Sequence, residues 1–209
     1  MKVQDLSPVT VILRGYGYDV VRNVCEAILP SKYIKNIEIT MNTEGAIECI
    51  EKICAQYGNR LNVGAGTVTT LEQAKASIEA GAQFLLAPVV LSKEIIDYAK
   101  SKGVVTVSGA YSPTEIWQAL QNGSDVIKVF PISNVCDTYF KDVKAPLGEF
   151  PLMAVGGVKL SNAKELLQRG ASHLGLGGVF SKDVLKANDL EAMKKEALAF
   201  DQVVEEALK

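Results

Sequence analysis

The sequence predicts a single-domain (β/α)8 barrel over residues 1–209. Two observations carry this prediction. Eight short apolar runs alternate with eight segments of helical periodicity, in units of about 26 residues. The runs are almost continuously apolar, which is typical of parallel strands buried on both faces. No Pro/Gly/Ser-rich linker or low-complexity stretch divides the chain.

Each predicted strand is a short run of mainly Val, Ile, Leu and Phe. In chain order the runs are residues 11–13, 34–39, 61–63, 83–87, 104–107, 126–130, 152–155 and 173–176. Each is followed by a predicted helix, over residues 20–29, 45–57, 71–80, 93–102, 114–121, 138–143, 163–169 and 190–207. Several helices begin after a capping residue such as Thr70 or Ser92 and end before a glycine such as Gly81 or Gly103.

Two architectures bury strands of this kind, a doubly wound open sheet and a closed barrel. The count of eight favours the barrel. An open-sheet dinucleotide fold would carry GxGxxG after its first strand. Gly15-Tyr16-Gly17 lacks the third glycine, and Gly64-Ala65-Gly66 lacks it too and follows the third strand. The barrel is therefore the preferred prediction.

The charge balance and hydropathy argue against several classes of partner. The chain has 22 Lys and Arg against 24 Asp and Glu, a net charge of −2, and no basic stripe for nucleic acid. No apolar run approaches the roughly 18 residues of a membrane span, and the first ten residues lack the apolar core of a signal peptide. We therefore expect a soluble, cytoplasmic protein with no nucleic-acid and no membrane partner.

Histidine is too scarce for a zinc site built on two or three imidazoles, because His173 is the only one. It lies in a short apolar segment, so we predict a structural role for it. The four cysteines form no CxxC pair and are expected to be reduced; they are Cys25, Cys49, Cys54 and Cys136. No metal site is predicted.

Catalytic groups of a barrel lie at the carboxyl ends of the strands and on the loops that follow. Most of these positions are polar or glycine here, at the ends of otherwise apolar runs. They are Arg14, Glu38, Thr40, Asn42, Thr67, Pro88, Ser108, Lys128, Gly156, Gly157, Gly177 and Gly178.

Lys128 lies in Val-Ile-Lys-Val-Phe, a run with no other polar side chain. Burial lowers the pKa of an ammonium toward the range in which the neutral amine acts as a nucleophile, which suits Schiff-base chemistry on a carbonyl. The alternative interpretation is a lysine that reaches solvent from a strand end or pairs with a carboxylate.

Glu38 is the equivalent anomaly on the second strand, among isoleucines. Burial raises the pKa of a carboxyl and a nearby cation lowers it, so the group can be tuned for proton transfer. The alternative is a structural ion pair with Lys128 or Arg14. Arg14 ends the first strand, where its guanidinium could clamp a carboxylate or phosphate or simply face solvent.

Two double glycines follow the last two strands, Gly156-Gly157 and Gly177-Gly178. Many barrels bind phosphate at this place through backbone N–H groups. Turns need glycine in any case, so each pair alone is a weak signal. Their occurrence in adjacent units predicts a phosphate site.

Five motifs stand in order along nearly the whole chain: Ile-Leu-Arg-Gly (12–15), Glu-Ile-Thr-Met-Asn-Thr (38–43), Gly-Ala-Gly-Thr-Val (64–68), Ile-Lys-Val-Phe-Pro (127–131) and Ala-Val-Gly-Gly-Val (154–158). This set resembles the 2-keto-3-deoxy-6-phosphogluconate (KDPG) / 4-hydroxy-2-oxoglutarate (KHG) aldolases. The resemblance implies a class I lyase on a (β/α)8 barrel of the TIM type. It further implies a homotrimer that needs no cofactor.

The resemblance also implies roles for the matching residues. Lys128 is similar to the Schiff-base lysine and Glu38 to the general acid/base. Thr67 is similar to the residue that binds the keto-acid carboxylate, and Arg14 to an arginine near the substrate. The remaining expected contacts are Asn42, Pro88 and Phe130 for the substrate and Gly156, Gly157, Gly177 and Gly178 for its phosphate.

The chain departs from the family pattern at three places. Asn42 stands where phosphogluconate-type members often have arginine, and its segment resembles that of the phosphogalactonate aldolases more closely. Ser108-Gly109 replaces a Pro-Gly pair. Gly178 and Val179 stand where a serine often binds phosphate, which leaves backbone donors only.

The predicted reaction is retro-aldol cleavage of a phosphorylated 2-keto-3-deoxy sugar acid to pyruvate and glyceraldehyde 3-phosphate. Cleavage of 4-hydroxy-2-oxoglutarate to pyruvate and glyoxylate is a second candidate activity. Two alternatives stay open. One is a phosphate-binding barrel isomerase, with Glu38 as base and Lys128 as an electrostatic clamp. The other is a non-catalytic metabolite-binding protein that lost turnover through changes such as Ser108.

Overall fold

Eight parallel strands form a closed ring in which each strand pairs with the next and the last pairs with the first. The computed structural model describes residues 1–209. The strands are β1 (Val9–Leu13), β2 (Ile34–Thr40), β3 (Asn62–Gly66), β4 (Phe84–Leu86), β5 (Val105–Ala110), β6 (Val126–Val129), β7 (Leu152–Val155) and β8 (His173–Leu176). This ring confirms the predicted (β/α)8 barrel and rejects the open sheet.

Helices cover the outside of the ring. They are α1 (Tyr18–Ile28), α2 (Ala46–Tyr57), α3 (Leu71–Glu79), α4 (Lys93–Ser101), α5 (Pro113–Asn122), α6 (Tyr139–Leu147), α7 (Leu160–Gln168), α8 (Lys182–Ala187) and α9 (Leu190–Ala207). Two short 3₁₀ helices, Val3–Asp5 and Ile132–Asn134, lie before β1 and after β6. No helix combines the length and the apolar character needed to cross a membrane.

Two predicted strands end three residues before the observed ones. Strand β3 continues through Gly64 and Gly66, and β5 continues to Ala110. Because glycine has a low strand propensity, the apolar runs used for the prediction stop before the glycines of both strands. In the ring these positions must be small: a Cβ on Gly64 would lie 2.5 Å from the Phe84 ring, and one on Gly109 would lie 2.4 Å from the Pro88 backbone. The short helix α8 was not predicted.

The barrel has an outer and an inner apolar core. The outer core fills the space between strands and helices. The inner core lies inside the ring and comes almost entirely from β4 to β7; its members are Leu6, Phe84, Leu86, Val105, Val107, Val126, Met153 and Val155. The inward positions of β1, β2, β3 and β8 are instead largely polar or glycine. One half of the interior is thus packed with hydrocarbon, and the other half holds polar groups.

The amino-terminal end of the barrel is closed by a plug, residues 3–7, fixed to buried amides. The side-chain Nδ2 of Asn36 donates to the Ser7 carbonyl at 2.8 Å and to Thr10 Oγ1 at 3.0 Å. Its Oδ1 accepts from the Ser7 N–H at 3.1 Å and from Asn62 Nδ2 at 2.8 Å. His173 Nδ1 lies 3.2 Å from the same Ser7 carbonyl. The only histidine is therefore part of this structural network.

We expect Asn36→Ala to lower the free energy of unfolding by about 2–4 kcal/mol, because it removes the hydrogen bonds that the Asn36 side chain makes with Ser7, Thr10 and Asn62. The loss would be measured by urea denaturation. Asn59→Ala, at an exposed position, is the control and should change stability little. Since the plug lies at the end opposite Lys128, a tenfold loss of turnover in Asn36→Ala would contradict this separation of roles.

Candidate active site

A cavity of about 290 Å³ opens at the carboxyl ends of the strands. Nine of the eleven predicted site residues line it: Arg14, Glu38, Pro88, Lys128, Phe130, Gly156, Gly157, Gly177 and Gly178. Asn42 and Thr67 do not line it. The structure adds five lining residues that were not predicted: Ile12, Val155, Val158, Gly175 and Leu176. Ile12, Val155 and Gly175 each lie on a strand, two residues before a predicted residue that follows the end of that strand. The alternation of side chains along a strand could therefore have predicted them.

Lys128 is the central cation of the cavity. It lies on β6, opposite Gly109 of β5 and Met153 of β7, and its side chain is 6% exposed. Its Nζ lies 4.9 Å from the centre of the Phe130 ring. Burial lowers the pKa of this amine, the Arg14 charge lowers it further, and the Glu38 charge acts in the opposite direction. The neutral, nucleophilic form is therefore more accessible than in an exposed lysine.

Glu38 is the buried carboxyl of the cavity. It lies on β2 between Ile12 of β1 and Gly64 of β3, and only 1% of its surface is exposed. Burial raises its pKa to about 7, against the opposing effects of Lys128 and Arg14. Its Oε2 has no hydrogen-bond partner within the chain. The carboxyl is thus poised to exchange a proton near neutral pH.

No salt bridge joins Glu38 to Lys128 or to Arg14. The alternative of a purely structural ion pair therefore finds no support in the geometry. The two groups line the same cavity and attract each other without forming an ion pair.

Gly66 makes the position of Glu38 possible. A Cβ at Gly66 would lie 1.6 Å from Glu38 Oε1. This residue is the last of β3 and is hydrogen-bonded through its carbonyl to the Met41 N–H at 2.8 Å. Glycine at this position therefore allows the Glu38 carboxyl to lie close to the β3 backbone and is not required for a turn. Any side chain there would displace the carboxyl.

Arg14 and the loop after β2 are joined by hydrogen bonds. Arg14 Nη1 donates to Asn42 Oδ1 at 2.8 Å, and the Gly15 N–H donates to Thr43 Oγ1 at 2.9 Å. Thr43 Oγ1 is also 2.9 Å from Thr40 Oγ1. Asn42 is exposed and reaches the cavity only through Arg14. The amide therefore orients the guanidinium at the cavity mouth.

Thr67 has a left-handed backbone, with φ of +57°. This conformation is strained for a β-branched residue, and such strain occurs preferentially at functional sites. Thr67 makes no hydrogen bond within the chain, while the next residue, Val68, is held by a bond from its N–H to the Leu86 carbonyl at 3.2 Å. Its expected contact with a carboxylate stays a prediction.

Ser108 lies outside the cavity. Its buried hydroxyl accepts a hydrogen bond from the Leu91 N–H at 3.3 Å, which anchors the loop after β4. The substitution at this position therefore does not remove a group that lines the cavity.

The glycine turns after β7 and β8 present free backbone donors. Gly156 and Gly157 have φ of +85° and +94°, which side chains rarely adopt. The N–H groups of Gly157, Val158, Gly177 and Gly178 donate to no other group of the chain. Gly178 is near enough to Val158 that a Cβ would lie 3.9 Å from its carbonyl oxygen. The two turns thus form one concave surface of unpaired donors, of the kind that binds anions.

The family model described as aldolase, KDPG and KHG aldolase, matches residues 2–196. The chain belongs to the KDPG and KHG aldolase family. It is 31% identical to the 2-dehydro-3-deoxy-6-phosphogalactonate aldolase of Escherichia coli K12 over 210 residues, covering 100% of both chains.

A second relative and a solved structure also resemble the chain. The chain is 35% identical to the 2-dehydro-3-deoxy-phosphogluconate aldolase of Treponema pallidum over 133 residues, which covers 63% of this chain and 62% of the relative. A solved structure described as native KDPGal superposes with a TM-score of 0.89 at 30% identity, covering 100% and 99% of the two chains. As a member of this family, the chain is a carbon–carbon lyase of the class I aldolases. The isomerase and the non-catalytic binding protein are set aside.

The raised pKa of Glu38 predicts a specific pH dependence of stability. Between its ordinary pKa of 4.5 and about 7, the folded protein holds a proton that the unfolded chain has released. Stability therefore falls as pH rises through this window. Glu38→Gln has no such penalty, so its stability relative to wild type should improve by about 3 kcal/mol between pH 4.5 and pH 8.

Urea denaturation of both proteins at several pH values would measure this difference. Glu48→Gln is the control, because Glu48 is exposed and its pKa is lowered by Lys52, so its difference from wild type should stay constant above pH 5. A difference for Glu38→Gln that does not change with pH would show that the carboxyl is ionised in the folded protein throughout.

Proposed function

We propose that this class I aldolase cleaves a 2-keto-3-deoxy-6-phospho sugar acid to pyruvate and glyceraldehyde 3-phosphate. The observation that carries the proposal is the pairing of a buried lysine with a buried, partly protonated carboxyl across one cavity, without a salt bridge between them. 4-Hydroxy-2-oxoglutarate, which would yield pyruvate and glyoxylate, is the second substrate to assay.

In this proposal Lys128 is the nucleophile. Its neutral amine attacks the C2 carbonyl and forms a carbinolamine, which loses water to give an iminium. The lowered pKa of the amine supports this role. The iminium then accepts the electron pair released when the C3–C4 bond breaks, and the resulting enamine is later protonated and hydrolysed to pyruvate.

Glu38 is the proton carrier. It protonates the departing hydroxyl of the carbinolamine, takes the proton of the C4 hydroxyl as the C3–C4 bond breaks, and returns a proton to the enamine carbon. A pKa of about 7 suits both directions of transfer near neutral pH. Its unpaired Oε2 leaves an acceptor free for these transfers.

The two ends of the substrate meet different groups. The keto-acid carboxylate is assigned to the loop of Thr67, and Arg14 at the mouth attracts the negative charges of the substrate. The phosphate is assigned to the free N–H groups of Gly157, Val158, Gly177 and Gly178. The sugar acids named in the relatives, gluconate and galactonate, differ in configuration at C4, so both phosphorylated acids are to be assayed side by side.

The nucleophile is tested by reduction with borohydride in the presence of pyruvate. We expect the mass of the peptide containing Lys128 to increase, because the reduced adduct is covalent. Lys128→Ala should lose both the adduct and turnover. The control is Lys93→Ala, which removes an exposed lysine paired with Asp97. An adduct on another lysine, with Lys128→Ala still active, would refute the assignment.

The proton carrier is tested separately from the nucleophile. Glu38→Gln keeps the shape of the side chain but cannot transfer a proton, so turnover should fall by about 10²–10⁴. Loss of the negative charge favours the neutral amine of Lys128, so a trapped adduct should still form, more slowly. Cleavage rate and trapped fraction would be measured on the same samples. Cleavage at nearly the wild-type rate would make Glu38 a structural residue.

A further inference from the structure

We propose that Asn162 is a positioning residue that holds the turn after β7 in its phosphate-binding orientation. The inference rests on the proposed function, since it concerns the phosphate end of that substrate. Asn162 lies in the first turn of α7, outside the cavity. It therefore acts through the backbone it contacts.

Asn162 ties two peptide groups of the turn together. Its Nδ2 donates to the Gly157 carbonyl at 3.0 Å. Its Oδ1 accepts from the Lys159 N–H at 2.8 Å. One side-chain amide thus connects the turn to the start of α7, and its two bonds fix the orientation of the Gly157 peptide group relative to the helix.

The neighbouring peptide group is held from the other side. The Ser133 N–H, in the 3₁₀ helix after β6, donates to the Gly156 carbonyl at 3.1 Å. Ser133 also leaves no space for a side chain, since a Cβ at Gly157 would lie 2.7 Å from Ser133 Cβ. Both carbonyls of the double glycine are therefore engaged outside the cavity.

The direction of the N–H groups follows from the planar trans peptide. In such a group the C=O of one residue and the N–H of the next point in opposite directions. Because the Gly156 carbonyl is directed at Ser133, the Gly157 N–H points away from Ser133, and because the Gly157 carbonyl is directed at Asn162, the Val158 N–H points away from Asn162. Both residues line the cavity, and both N–H groups lack a partner within the chain.

Without this restraint the turn would lose its preorganisation. Glycine adopts many backbone conformations, so a free Gly157-Val158 peptide could rotate and present the Gly157 carbonyl oxygen to the phosphate. A carbonyl facing an anion repels it, whereas an N–H attracts it. The amide of Asn162 prevents this rotation without touching the substrate.

The test compares two aldehydes that differ only in phosphate. In the condensation direction, pyruvate is combined either with glyceraldehyde 3-phosphate or with glyceraldehyde. For Asn162→Ala we expect kcat/KM for the phosphorylated aldehyde to fall roughly tenfold, mainly through KM, the loss typical of one weakened hydrogen bond to a charged group. The value for glyceraldehyde should stay within about twofold, because no phosphate is bound.

Glu115→Ala is the matched control. Glu115 occupies the same helical position in α5 and accepts from the Ser112 N–H at 2.7 Å, but no residue of its loop lines the cavity. This variant should lose a similar amount of stability and leave the preference between the aldehydes unchanged. Asn162→Asp keeps the acceptor for Lys159 and loses the donor, so it carries the test if Asn162→Ala does not fold. Measurement at low and high salt separates its added charge from the orientation effect, because only the charge is screened.

Equal losses for both aldehydes in Asn162→Ala would overturn the inference, since they would indicate a general structural defect. Unchanged kcat/KM for both aldehydes would overturn the inference as well, while the proposed function stands. A wild-type protein that condenses pyruvate with neither aldehyde would overturn the proposed function and this inference together.

Discussion

The burial of two opposite charges that do not touch is the constraint on which the rest of the interior depends. Glu38 and Lys128 are both almost fully enclosed, yet no salt bridge compensates the loss of their hydration. Uncompensated burial of this kind is costly. The remaining interior accommodates it in two ways: β4 to β7 supply a dense inner core, and Gly66 supplies the space that the carboxyl occupies.

Stability and chemistry are assigned to opposite ends of the same strands. At the amino-terminal end, Asn36 and His173 bind the plug, and every fully buried side-chain nitrogen or oxygen there has a partner within the chain. At the carboxyl end the pattern is reversed: Glu38 Oε2 and the N–H groups of the glycine turns have no partner. Groups that a fold leaves unsatisfied are those that a ligand can satisfy. The distribution of unmet hydrogen bonds therefore locates the site without reference to any relative.

The sequence was informative where a residue type conflicts with its surroundings. Burial of a charged side chain is unfavourable, so a lysine or glutamate within an apolar run stands out in the sequence. Lys128 and Glu38 could therefore be predicted as residues of the cavity, and the eight alternating units predicted the barrel. The inward glycines of β3 could not be assigned to a strand from the sequence. Their small size is required by Phe84 and Glu38 on the neighbouring strands, and strand propensity does not record contacts between strands. Asn162 was missed for a similar reason, since the orientation of a carbonyl leaves no trace in residue type.

The ring closes between its first and last strands, and this arrangement governs how the chain folds as it is synthesised. Strand β1 can pair with β2 as soon as both have been synthesised, but its other edge stays unpaired until β8 is present. The Ser7 carbonyl likewise lacks its contact with His173, which lies 166 residues later in the chain. Until β8 leaves the ribosome, the nascent chain carries an open strand edge that can pair with other chains. Contacts between the ends of a chain form late and slow the final step. The barrel therefore cannot close before β8 has been synthesised, and the aggregation hazard of the open β1 edge is greatest until then.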